Sequence, residues 1–137
     1  MEIKVKVFIS GSSTIKSLPR DAIEILKSCC IRNYVVMVGD CSGVDWLIQD
    51  FLNQVGYKNV IVYYSGYGNA RPRNLANPSW TTRRIDPKGA SGRAFYTAKD
   101  IAMSEDSDLS VAIWDGKSQG TKANIDRAGN RAVIIRL

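Results

Sequence analysis

The stretch Leu109–Gly129, LSVAIWDGKSQGTKANIDRAG, decides the fold. Its apolar half, Leu109, Val111, Ala112, Ile113 and Trp114, has the length of a strand covered on both faces, and it breaks at Asp115-Gly116. Gly120-Thr121 then opens a helix. The first amides of a helix have no partner inside it, and a glycine lets an anion approach them without a side chain in the way. In open α/β sheets such turns, at the carboxyl ends of the strands, are where ligands dock. The same residues would serve equally to turn and cap a helix that binds nothing.

The rest of the chain repeats this pattern. Ile3 to Ser10 (IKVKVFIS) reads as a first strand, followed by the small hydroxyl-bearing turn Gly11-Ser12-Ser13. A helix with a possible N-cap at Ser17 carries Ala22, Ile25, Leu26, Cys29 and Cys30 at helical spacing. Tyr34 to Val38 is a second buried strand closed by Gly39-Asp40. In GDCSGVD, Ser42 and Asp45 resemble a capping box, so Asp45 is read as a helix cap, and Val44, Leu47, Ile48, Phe51, Leu52 and Val55 form the next apolar stripe. Asp40 has no capping role in this reading and is free to contact a ribose hydroxyl or base edge. Asn59 to Tyr64 is a third strand, Ser91 to Met103 a helix with Lys99 and Asp100 on its surface, and Ala132 to Leu137 a last strand.

Five strands alternating with four helices predict an α/β fold: one doubly wound, Rossmann-like domain over residues 1–137 with a mainly parallel sheet. The regular alternation is interrupted by an irregular basic insertion at about 65–92. From Ala70 to Arg93, six basic residues, Arg71, Arg73, Arg83, Arg84, Lys88 and Arg93, face a single acid, Asp86, with Tyr63, Tyr64, Tyr67 and Trp80 nearby. Long loops in compact domains are usually functional, and arginines with aromatic rings suit phosphates and bases.

Composition narrows the chemistry. Among 137 residues, 45% are apolar and 23% charged, which fits a folded globular chain and excludes wholesale disorder. The formal net charge of +6 favours anionic ligands. The absence of histidine removes Ser-His-Asp triads and His-containing zinc sites. Cys29 and Cys30 are adjacent and Cys41 stands alone, so no metal-ligand pair or disulfide framework is present, and the thiols read as reduced small hydrophobes. No metal ligand cluster is expected. The start MEIKVKVF alternates charge with apolar residues, and no run of about eighteen apolar residues occurs, so the expectation is a cytoplasmic protein without a membrane segment.

The order of GSS after strand one, GDCSGVD after strand two and SDLSVAIWDGKSQGT entering the last helix resembles the SLOG superfamily. These are Rossmann-like proteins that include DprA-type and cytokinin-activating LOG proteins, and the small stand-alone members related to YspA are the most similar. The WDG…GT stretch also looks like nucleoside 2-deoxyribosyltransferases. The resemblance implies a phosphate- or ribose-binding site kept by Gly11, Ser12, Gly39, Gly43, Gly120 and Thr121; the residue reading adds Ser13, Asp40, Asp115, Gly116, Ser118 and Asn124 as candidate ligand contacts, with Arg71 and Arg73 closing over the charged end. The resemblance also implies a nucleotide or nucleotide-derived small molecule as ligand and self-association as a homodimer or larger oligomer; magnesium could arrive with the nucleotide.

Both LOG enzymes and those transferases place a catalytic glutamate three residues after the threonine of the GT pair. Here that position is Asn124, which cannot ionise to attack an anomeric carbon. LOG's PGG is likewise replaced by Asp115-Gly116-Lys117-Ser118-Gln119. Three functions follow as expectations. The first is nucleotide binding for sensing or sequestration. The second is cleavage or transfer of an N-glycosidic bond, with Asp40, Asp115 or Glu105 as the replacement carboxylate. The third is nucleic-acid binding through the basic loop.

Overall fold

The structure is a computed structural model and describes residues 4–137. Its element order is β1 (Lys6–Gly11), α1 (Arg20–Ile31), β2 (Val35–Gly39), α2 (Val44–Gln54), β3 (Val60–Ser65), β4 (Thr81–Ile85), α3 (Gly92–Asp106), β5 (Leu109–Trp114), α4 (Gln119–Ala128) and β6 (Ala132–Arg136). The six strands form one sheet in the order β4-β3-β2-β1-β5-β6, and every pairing is parallel. This is the doubly wound Rossmann-like arrangement expected from the sequence, with one strand more than the expected five.

Alternation along the strands sorts residues between two faces. Val7, Ile9, Val36, Val38, Val60, Val62, Val111 and Ile113 point into a core shared with Ala22, Leu26 and Cys29 of α1 and Val44, Ile48 and Leu52 of α2. Each such fully buried aliphatic side chain stabilises the fold by roughly 1.5–3 kcal/mol. Phe8, Val35, Met37 and Tyr63 point to the other face, where they pack with Met103 of α3. Helix α4 lies against β5 and β1 and also touches α3.

The extra strand, β4, lies inside the segment read as irregular. Its sequence TTRRI has no apolar alternation because it is the sheet's edge: its residues are exposed apart from a half-buried Ile85, and backbone pairing to β3 holds it in place. Charged side chains on an edge strand also discourage pairing with another sheet. Because β3 and β4 are parallel, residues 66–80 must carry the chain back across the sheet without a helix. Buried Trp80 anchors that crossover by donating its indole N–H to Tyr57 O at 2.9 Å.

Two cap assignments change. Helix α1 begins after Pro19, which takes the N-cap position expected at Ser17. Helix α2 is capped at Gly43 without a side-chain bond, so Ser42 and Asp45 make no capping box. No helix among the described residues is long and apolar enough to cross a membrane.

Candidate functional site

Strand order reverses between β1 and β5, and their carboxyl ends define the switch point where ligands of open α/β sheets bind. The two ends are bonded together. Ser12 N donates to Ile113 O at 3.0 Å, Asp115 N to Ser12 Oγ at 3.2 Å, and Thr14 Oγ1 to Asp115 Oδ2 at 3.1 Å. Ser12 is fully buried and serves this junction.

Asp115 also accepts the N–H groups of Lys117 and Ser118, both at 2.8 Å. The N–H of Ser118 and then that of Lys117, with smaller help from Thr14 and Ser12, hold its carboxyl down to about 2. It stays ionised and shapes the turn, which is poor chemistry for a proton donor. Gly116 has φ +82°, a conformation side chains rarely adopt, and the Arg136 guanidinium fills the space a Cβ would need. Gly116 is therefore a turn glycine.

Beside that junction lies a recess of about 150 Å3 lined by Ser10, Gly11, Ser13, Cys41 and Ser42 on one side and by Ser118, Gly120, Thr121 and Asn124 of the β5–α4 turn and α4 on the other. Ser118 caps α4, its hydroxyl accepting the Thr121 N–H at 3.5 Å. A Cβ built on Gly120 meets nothing within 4 Å, so this glycine opens onto free space. Ser10, 5% exposed, lines the recess, and its buried hydroxyl has no hydrogen-bond partner among the described residues. An unpaired buried hydroxyl is costly unless something else satisfies it. Thr121 and Asn124 are also buried, and Asn124 Oδ1 accepts from Arg127 at 2.7 Å.

The floor holds a charge cluster that the sequence reading missed. Lys99, expected on the helix surface, is 3% exposed and reaches the Asp100 carboxylate at 2.9 Å. Burial alone would lower the pKa of its ammonium; Asp100, and then Asp45, outweigh it and raise that pKa. Asp45 accepts the Cys41 N–H at 3.1 Å, and desolvation pushes its carboxyl up to about 6 despite the opposing field of Lys99. Gly39 makes the cluster possible, since a Cβ there would collide with Asp45 Oδ2 and touch Lys99 Cε. One signal was legible: Lys99 stands four residues before Met103, on the face that α3 turns to the sheet.

The remaining expected site residues divide cleanly. Gly11 is glycine because a Cβ would strike Val44 at 2.7 Å, and Gly43 because its φ is +80° and Ser13 O crowds it at 2.7 Å. Gly11 still lines the recess through its backbone, whereas Gly39 and Gly43 serve packing. Asp40, read as free for ligand contact, is 3% exposed and ties down the crossover. Its Oδ2 accepts the Arg73 N–H at 2.9 Å, and its backbone oxygen accepts from Asn74 at 2.8 Å. Buried Gln49 completes the tie by bonding Gly39 O, Asn74 O and Ala76 N. Glu105 lies at the end of α3 nearest β5's start, lining clefts separate from the recess. None of the three carboxylates proposed as a replacement acid is thus placed to act in the recess; the carboxylates that line it are Asp45 and Asp100.

The basic segment is largely occupied internally. Arg73 bonds Cys41 Sγ at 2.9 Å and lies 4.7 Å from the Tyr96 ring; Arg83 meets Asp106, Arg84 bonds Gly66 O, and Arg93 bonds Gln119. Cys41 is correspondingly more than a small hydrophobe, because it lines the recess and accepts a guanidinium N–H. Neither a protein-family model nor a curated protein matches the chain.

Proposed function

We propose that this chain is a nucleotide-recognition domain, a SLOG-like Rossmannoid that binds a nucleotide or nucleotide-derived small molecule at the carboxyl edge of its sheet. The observation that carries this reading is the meeting, in one recess, of the unpaired Ser10 hydroxyl, the unobstructed helix start at Gly120 and the buried ammonium of Lys99. With the Ser118 and Thr121 N–H groups bound to Asp115 and Ser118, those of Gln119 and Gly120 are left to donate to a phosphate, and the partial positive charge of the helix start favours it. The Asn124 amide N–H and the Asp100 carboxylate offer a ribose a donor and an acceptor within the same walls. Arg71 and Arg73 line a neighbouring cleft that meets the recess at Lys99.

A second reading, cleavage or transfer of an N-glycosidic bond, is favoured by Asp45. A carboxyl that takes up its proton near pH 6 inside a ligand recess suits protonation of a departing base. Nucleic-acid binding through the basic segment is weaker, because Arg73, Arg83, Arg84 and Arg93 already have partners inside the chain.

The test follows thermal stability and free-base release together across nucleosides, nucleotides and ADP-ribose-type compounds. A ligand that binds the folded state raises the melting temperature by mass action. Stabilisation by nucleotides without release supports recognition. Release that disappears in Asp45→Asn replaces it with the enzymatic reading, and absence of any stabilisation overturns both.

A further inference from the structure

The recess at the switch point is too small for the ligand it attracts. Small-molecule sites generally span about 300–1,000 Å3, and this one holds about 150 Å3. It continues in two directions from Lys99. Between α3 and α4 lies a cleft of about 430 Å3 whose arginines, Arg93 and Arg127, already bond Gln119 and Asn124. Over β2 and β3 lies another, of about 470 Å3, walled by Tyr67, Phe95, Tyr96, Arg71 and Arg73.

The second cleft has the chemistry of a base site. Tyr67 and Tyr96 are each 46% exposed, with the Phe95 ring centroid 5.9 Å and 5.0 Å from theirs and the Arg73 guanidinium over one face of Tyr96 at 4.7 Å. Exposed rings of this kind stack nucleobases, and a guanidinium beside them neutralises the linking phosphate. Arg71 is exposed and has neither a hydrogen-bond nor an ion-pair partner among the described residues, whereas Arg73 is bound to Asp40 and Cys41. The wall is already built: Tyr67 donates its hydroxyl to Ala90 O and Tyr64 donates its own to Ala70 O, both at 2.8 Å.

We infer that the site takes a linear dinucleotide, its 5′-phosphate in the recess below Gly120 and its second base on Tyr67 and Tyr96, with the linking phosphate facing Arg71. This rests on the nucleotide reading above and extends it from one nucleotide to two.

Calorimetric titration of the full chain with 5′-phosphorylated homodinucleotides of each base, against the matching mononucleotides, tests it. The expected result is one dinucleotide binding at least about tenfold more tightly than its mononucleotide, as one added base stack implies. Arg71→Ala and Tyr96→Leu, each checked for an unchanged melting temperature, should return that ratio to near one. Equal affinities in the wild type overturn the second subsite and leave the nucleotide reading standing; no binding by either overturns both. A decanucleotide that binds where the dinucleotide does not also overturns the inference, because it places the chain among single-strand binders.

Discussion

At the residue scale the unusual feature is a buried lysine, Lys99, with two half-buried carboxylates, Asp45 and Asp100, lining the switch-point recess. Removing one partner from such a group leaves the others uncompensated, which typically costs about 3–5 kcal/mol. Lys99→Met is expected to lose stability of that order in urea titration; an unchanged midpoint would mean that the cluster is well solvated. Asp45 makes a separate prediction. Its carboxyl is raised on folding, so the folded chain holds the proton more tightly, and stability falls as pH rises from about 4 to about 6. Asp45→Asn should remove that slope, by up to about 3 kcal/mol, and an identical pH profile in both chains would contradict the placement of Asp45. Asp115 acts oppositely. Held down to about 2, it supports the fold above the ordinary aspartate range and loses that support as pH falls toward 2, so Asp115→Asn and wild type should converge in strong acid.

The sequence makes the apolar runs of β1, β2, β3 and β5 legible because these inner strands are buried on both faces. Lys99 offered only its spacing to Met103 as a cue, because a lysine beside an aspartate on a mixed helix looks like a solvated pair until Asp45, remote in the chain, is placed against it. Asp40 misled for the same reason. Its partners, Arg73 and Asn74, are more than thirty residues away.

At the element scale, glycines that look alike in sequence do different work. Gly39 and Gly43 are demanded by neighbouring protein atoms, whereas Gly120 is not. Gly43→Ala forces a strained φ against Ser13 O, so it should lower stability by roughly 1–3 kcal/mol. Gly120→Ala, within α4, should instead raise stability by about 0.5–1 kcal/mol while weakening nucleotide binding. Thermal unfolding paired with titration reads both effects, and a Gly120→Ala chain that loses stability would mean that the helix start is crowded. The crossover between β3 and β4 was unreadable as structure because it contains neither helix nor strand. It is fixed by Gln49, whose amide satisfies three backbone groups. Gln49→Leu leaves those groups unpaired, and a cost of at least about 2 kcal/mol is expected from chemical denaturation. The edge strand β4 escaped notice because nothing in TTRRI needs burial.

At the scale of the whole molecule, the chain's formal charge of +6 pointed to anions, but the fold decides which. Most of the basic side chains in the 65–92 segment bind acids, carbonyl oxygens or rings of the same chain, while the open helix start, the unpaired hydroxyl and the ammonium converge at the switch point. The doubly wound topology was legible from alternating periodicities, and so was the edge of the sheet where its turns gather. Which turn residues line the recess and which bind their neighbours depended on packing across strands that are remote in sequence. The central claim is that an anionic nucleotide sits at the start of α4. Its most direct test is calorimetric titration of the best-binding nucleotide into wild type and Gly120→Glu, which places a carboxylate in free space at that start. The account predicts a melting temperature without ligand that is no lower than that of wild type and a loss of affinity of at least about a hundredfold, as a like charge beside the phosphate costs several kcal/mol. Equal affinity in the two chains would contradict it.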